Sequence, residues 1–99
     1  MTRTIRFDPE AAPGLDWFRQ YYRDTFPEGA ASAADRLTAI LDLLSDQPGM
    51  GAPYPDRPDI RFFAIPKTPF SLAYLTTDEA IVVIDLIDQR SRRGKSTGA

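Results

Sequence analysis

Six proline and glycine residues lie between positions 45 and 58 and divide the chain into two parts of different periodicity. Neither a helix nor a central strand tolerates this density, so the segment is predicted to be an irregular connection. Before it, apolar residues recur at helical spacing. After it, aromatic and β-branched residues occur in short runs typical of strands. The order therefore predicts helices in the first half and a sheet built largely from the second half.

The second helix is the most clearly marked element of the chain. Its apolar residues recur at steps of four and three: Ala30, Ala34, Leu37, Leu41 and Leu44. Such a stripe is typical of a helix with one buried face, and Leu37, Leu41 and Leu44 are expected to form the seam with the sheet. A first helix is predicted from about residue 14 to residue 25, and strands are predicted over residues 4–7, 60–65, 70–75 and 80–87.

These elements define an α+β class with the order β-α-α-β-β-β. A helical hairpin is expected to pack on one face of a mostly antiparallel four-stranded sheet. With 99 residues the chain has room for one domain, assigned to residues 1–90. Residues 91–99 are predicted to be a basic, disordered tail.

Composition excludes several kinds of chemistry. The chain has no cysteine, which excludes a disulfide scaffold and thiol catalysis, and no histidine, the commonest metal ligand and general base. No cofactor or metal is therefore expected. No apolar run is long enough for a membrane span and no signal peptide is visible, so a cytoplasmic protein without membrane contact is expected.

Charge is distributed unevenly along the chain. Residues 1–88 carry 8 basic and 14 acidic side chains, whereas residues 89–99 carry four basic side chains and no acidic one. The basic cluster, which comprises Arg90, Arg92, Arg93 and Lys95, could contact an acidic protein surface, DNA or RNA, or could simply solubilise the tail.

The last predicted strand has two apolar faces. One row, expected to face the helices, consists of Val82, Ile84 and Leu86. The other row consists of Ile81, Val83, Asp85 and Ile87. No further predicted element covers this second row. Either a second polypeptide covers it or the segment 45–58 folds across it.

Several features taken together resemble the RelE/ParE toxin superfamily of bacterial toxin-antitoxin modules. They are the element order, residues 47–51 after a leucine-rich helix, Arg61 opening a strand, the sequence Leu72, Ala73, Tyr74 within the next strand, and Arg90 after the last one. The resemblance spans residues 4–93 and is greatest to the ParE, or plasmid-stabilisation, branch.

This resemblance implies a toxin that is held inactive by a cognate antitoxin, in a toxin-antitoxin hetero-oligomer. ParE-like members bind and inhibit DNA gyrase. RelE-like members are endoribonucleases that cut messenger RNA on the ribosome, which is the alternative function here. A toxin-fold protein that has lost its activity is a third interpretation. The chain lacks the late histidine or tyrosine of many ribonuclease members, and Asp88 beside Arg90 is expected to be a weak base of low pKa.

Three sets of candidate residues follow from the resemblance and the patterns above. For target binding they are Arg90, Arg92 and Arg93. For antitoxin binding they are Trp17, Tyr21, Arg61, Ile81, Val83 and Ile87. For the alternative ribonuclease they are Arg61, Lys67 and Arg90. Two of these residues also have a structural explanation. Arg61 could pair with Asp59, Asp85 or Asp88, and Lys67 could be a solvent-exposed turn residue.

Overall fold

A computed structural model describes residues 3–91 and contains two helices and five strands. The helices are α1 (Ala12–Gln20) and α2 (Ala30–Asp46). The strands are β1 (Thr4–Phe7), β2 (Ala52–Pro53), β3 (Ile60–Ala64), β4 (Phe70–Thr76) and β5 (Ala80–Asp88). A π-helical turn, Tyr21–Thr25, extends α1, and short 3₁₀ turns are Pro9–Ala11, Pro27–Gly29, Pro48–Met50 and Gln89–Ser91.

The strands form one sheet in the order β1-β5-β4-β3-β2. β1 pairs in parallel with β5, and the other three pairs are antiparallel. The chain between these two parallel strands contains both helices and the other three strands, so it is long enough for the crossover that a parallel pair needs. The predicted α+β class and helical hairpin are thus confirmed.

The sheet has one strand more than the four predicted. Residues 52 and 53 lie in the proline- and glycine-rich segment, yet they pair with Phe62 and Arg61 of β3. Proline is compatible with this position because β2 is an edge strand. Within residues 3–91, no second strand pairs with β2, so none requires the N–H group that proline lacks.

The first helix begins at Ala12, two residues before its predicted start, and packs closely on β5. A Cβ atom at Gly14 would lie 2.5 Å from the backbone oxygen of Leu86. Glycine is therefore required here because the helix backbone touches the strand backbone.

The buried stripe of α2 lies slightly to one side of the predicted seam. Ala33, Ile40 and Leu44 are buried, whereas Leu37 and Leu41 are half-buried and pack at its margin. Of the predicted seam residues, only Leu44 is therefore fully enclosed. The opposite wall of the core comes from the helix-facing residues of the sheet, which include Phe70, Leu72 and Tyr74.

A β-bulge in β5 reverses part of its predicted orientation. Tyr74 pairs with Val83 and Ala73 pairs with Asp85, so Ile84 is an extra residue on the β5 side. Before the bulge, Ile81 and Val83 belong to the core and are 0% exposed. The prediction that they lie on an uncovered face is therefore wrong. Of the predicted helix-facing row, only Leu86 joins this core, because it follows the bulge.

The face of the sheet away from the helices is partly covered by the proline- and glycine-rich segment. The rings of Tyr54 and Phe62 lie 5.1 Å apart, and the Tyr54 backbone N–H donates to the Ile60 carbonyl at 2.9 Å. Burial, and then the nearby charge of Asp85, raise the pKa of the Tyr54 hydroxyl. The segment thus contacts this face at Phe62, and Ile87 on the same face is half-buried. The predicted alternative placed the segment over Ile81, Val83 and Ile87, but Ile81 and Val83 lie in the core beneath the helices instead.

Candidate binding surface at the end of the last strand

The C-terminal end of β5 carries a buried carboxylate with several hydrogen-bond donors. The Asp88 side chain is only 4% exposed. Its Oδ2 accepts hydrogen bonds from Trp17 Nε1 at 2.7 Å and from an Arg90 guanidinium nitrogen at 3.0 Å. Its Oδ1 accepts from the Arg90 backbone N–H at 2.9 Å and from Arg90 Nε at 3.2 Å. These three residues are called the Asp88 cluster below.

The hydrogen bonds of the Asp88 cluster stabilise the ionised carboxylate. Burial alone would raise the pKa of Asp88, but donors from the Arg90 side chain, Trp17 and the Arg90 backbone together lower it from 3.8 to about 2. The predicted low pKa is confirmed. At neutral pH Asp88 is therefore a structural anion and a poor proton acceptor.

The Arg90 side chain contacts protein groups on one side and is exposed to solvent on the other. Its guanidinium carbon lies 4.4 Å from the centroid of the Tyr21 ring, a cation–π contact, while its side chain remains 51% exposed. Tyr21 in turn packs edge-on against Phe70, with ring centroids 5.7 Å apart. The structure thus presents one ordered, accessible cation at the point where the basic segment begins.

Two further contacts fix the chain beyond β5. The Gln89 backbone N–H donates to the carbonyl of Pro69 at 2.7 Å, and the Gln89 side chain donates to Ser71 Oγ at 2.9 Å. Pro69 and Ser71 flank the first residue of β4, so the chain leaves the sheet beside the β3–β4 turn. Arg92 and Arg93 lie outside the described residues.

The aromatic residues of α1 divide between core and surface. Phe18 and Tyr22 are buried and contact Phe70, whereas Tyr21 is half-buried. Trp17 is 37% exposed although its indole N–H is bound to Asp88. The predicted antitoxin residues Trp17 and Tyr21 therefore lie directly beside the predicted target residue Arg90.

Arg61 makes backbone contacts that were not predicted for it. Its guanidinium donates to the backbone carbonyls of Gly51 at 2.5 Å and Gly49 at 3.3 Å, and thereby holds the connection after α2. Asp59 pairs instead with Arg57 at 3.2 Å, and Asp88 pairs with Arg90. Arg61 is half-buried, so much of its hydrogen-bonding capacity serves the fold.

The three candidate ribonuclease cations do not form one cluster. Arg61 is opposite Tyr74 and Asp88 is opposite Phe70. These positions are four residues apart on β4, or about 13 Å at the usual strand rise. Lys67 is exposed on the β3–β4 turn and has a left-handed backbone, with φ of 61°. It lies at the same end of the sheet as Arg90, whereas Arg61 lies farther along it.

A shallow pocket lies at the turn between the two helices. Its volume is about 260 Å³ and it combines aromatic walls with both signs of charge. The lining residues are Tyr22, Phe26, Glu28, Gly29, Ser32, Ala33, Arg36 and Lys67. Phe26 is among the exposed large apolar residues, so an apolar surface is accessible here.

Within residues 3–91, no group of three or more His, Cys, Asp or Glu side chains is placed to hold a metal ion. Over the same range, neither helix is long and apolar enough to cross a membrane.

A helical hairpin packed on a mostly antiparallel sheet, with an exposed arginine just after the long strand β5, is the architecture expected of the RelE/ParE superfamily. More specifically, the family model of the ParE toxin of type II toxin-antitoxin system, parDE, matches residues 5–93, and the chain belongs to this family. No curated protein sequence matches the chain.

A solved structure supports the fold. The chain is similar to one in the structure titled "Chromosomal ParDE TA system from P. aeruginosa", with a TM-score of 0.66 and 21% sequence identity. The match covers 88% of this chain and 96% of that one. At this identity the likeness establishes a shared fold.

Proposed function

We propose that the chain acts by binding and inhibiting an essential target, DNA gyrase, and that a cognate antitoxin neutralises it. The observation that carries this proposal is that the Arg90 guanidinium is both restrained and accessible. Its guanidinium is bound by Asp88 and Tyr21 on one side and half exposed on the other. It is also the first of four cations within residues 90–95, which suits an acidic partner surface.

The chemistry of the described residues favours binding over RNA cleavage. Cleavage requires a group that accepts the 2′-hydroxyl proton. Asp88, the acid nearest to Arg90 in the chain, has a pKa of about 2 and uses both oxygens in hydrogen bonds. The Tyr74 hydroxyl is bound to Gly51 and Pro48, and burial raises its pKa. The alternative ribonuclease function thus has less support.

The proposed antitoxin site includes the surface of α1 around Trp17 and the pocket beside Phe26. An exposed tryptophan next to a cation is a common anchor in protein interfaces. The pocket offers an apolar wall together with Arg36 and Lys67, which suits an acidic, partly apolar segment. Since Trp17 and Arg90 both contact Asp88, an antitoxin that covers Trp17 also obstructs Arg90.

The test is an assay of DNA supercoiling by purified gyrase with increasing amounts of the chain. We expect inhibition that weakens with added salt, and weaker inhibition by Arg90→Ala and Arg92→Ala at unchanged circular dichroism. Arg57→Ala is the matched control, because it removes an exposed arginine from another ion pair.

A parallel assay uses translating ribosomes and messenger RNA. Intact message is expected. Codon-positioned cuts that disappear in Arg90→Ala would overturn the proposal in favour of the ribonuclease.

A further inference from the structure

We propose that Trp17 is a positioning residue, which through Asp88 holds Arg90 in the orientation that engages the target. The inference rests on the proposed function, because it takes Arg90 to contact that target. Trp17 and Asp88 are 71 residues apart in the chain and meet only in the folded protein.

The geometry of Asp88 makes it a fixed link between Trp17 and Arg90. Its side chain is nearly fully buried and each of its oxygens accepts two hydrogen bonds. Because Trp17 Nε1 binds Oδ2, it fixes the rotation of the carboxylate group. That rotation determines where the guanidinium of Arg90 can form its paired contact, since such contacts are directional.

The exposure of Trp17 argues for a role besides core packing. More than a third of the residue is accessible, whereas its neighbour Phe18 is buried. A phenylalanine at position 17 would retain most of the ring contact of Trp17 with Tyr21, whose centroids are 6.3 Å apart. It would lose the donor to Asp88. The specific contribution of tryptophan here is therefore its N–H group.

Ordering Arg90 in advance lowers the cost of binding. A free arginine loses much side-chain conformational entropy when a partner immobilises it. In the Asp88 cluster, the carboxylate and the Tyr21 ring already restrain the guanidinium. Loss of the Trp17 hydrogen bond should release Arg90 and weaken target inhibition by up to about 10-fold, the cost of immobilising one flexible side chain on binding.

The experiment is a double-mutant cycle of Trp17→Phe and Arg90→Ala, measured as gyrase inhibition. If Trp17 acts through Arg90, Trp17→Phe weakens the wild-type chain but has no further effect in the Arg90→Ala background. Additive effects would overturn the proposal, because Trp17 would then act on the target independently. Arg57→Ala, combined in the same way with Trp17→Phe, is the control in which additivity is expected.

A second readout does not depend on the target. In ¹H–¹⁵N spectra, the Nε–H of Arg90 should be protected from exchange in the wild type and should lose this protection in Trp17→Phe. If Trp17→Phe does not fold, Trp17→Leu replaces it, since leucine also lacks the donor to Asp88 and leaves the carboxylate that binds Arg90 in place. Unchanged protection in the folded variant would overturn the proposal.

Gyrase inhibition and the exchange of the Arg90 Nε–H distinguish the hypothesis about the target from the hypothesis about Trp17. If the wild type fails to inhibit gyrase, the proposed target is wrong, and the spectra alone decide whether Trp17 positions Arg90. If Arg90 is released without loss of inhibition, the target is correct, but the orientation that Trp17 imposes on Arg90 is not needed to engage it and the proposal is overturned.

Discussion

The phenolic oxygen of Tyr74 lies 2.9 Å from the backbone nitrogen of Gly51, 23 residues earlier in the chain. It accepts that N–H and donates its own proton to the carbonyl of Pro48 at 2.7 Å. Arg61 binds the carbonyls of Gly51 and Gly49 beside it. Two strand residues thus hold the connection between α2 and the sheet, so both have structural roles.

Tyr74→Phe should destabilise the fold by about 1 to 3 kcal/mol, because it leaves buried backbone groups of the connection without their partner. Urea unfolding followed by circular dichroism measures this cost. Tyr21→Phe removes a hydroxyl from a half-buried tyrosine and is expected to change stability by less than about 0.5 kcal/mol. Equal stabilities for the two variants would contradict the assigned role of Tyr74.

Leu44→Ala should cost about 2 to 5 kcal/mol of unfolding free energy, since Leu44 is completely buried between α2 and the sheet. Leu41→Ala on the same helix is the matched control and should cost less, because Leu41 is only half-buried. Urea midpoints of the two variants provide the comparison. A larger loss for Leu41 would mean that the helix face is assigned wrongly.

The Asp88 cluster predicts a pH dependence of stability. Because the folded protein lowers the pKa of Asp88 from 3.8 to about 2, the ionised carboxylate stabilises the fold above pH 3.8, and this stabilisation disappears as pH falls through 2. The contribution is about 2 kcal/mol at neutral pH. Asp88→Asn lacks the titrating group, so its stability deficit relative to wild type should shrink between pH 5 and 2. Urea unfolding of both proteins across this range measures the difference. A constant deficit would contradict the assigned pKa.

Trp17→Ala should weaken binding of the cognate antitoxin by at least about 10-fold, in keeping with the loss of an aromatic anchor. Phe62→Ala is a matched control, because Phe62 has similar exposure, 36%, and contacts Tyr54 on the other face of the sheet. Isothermal titration calorimetry measures both affinities. Comparable losses for the two variants would place the antitoxin elsewhere.

Antitoxin and gyrase should compete for the toxin. If Trp17 lies in the antitoxin site and Arg90 in the target site, their shared contact with Asp88 leaves no room for both partners. A pull-down with immobilised gyrase should therefore recover less toxin as antitoxin is added. Recovery of a ternary complex of all three proteins would contradict this overlap.

The sequence by itself determined the element order, the α+β class and the amphipathic second helix. These properties depend on local patterns: the spacing of apolar residues, the proline- and glycine-rich connection and the β-branched run of β5. The resemblance to the toxin superfamily depended on that same order. Arg90 at the end of the last strand was likewise visible from position alone.

Tertiary structure decided which faces are buried and which residues meet. An extra residue at Ile84 reverses the alternation within β5, and nothing in its apolar sequence marks where the bulge falls. Ile81 and Val83 therefore lie in the core and not on the opposite face of the sheet. The contact between Trp17 and Asp88 likewise depends on how α1 crosses the end of β5, because residues 71 positions apart become neighbours only through the packing of the whole chain.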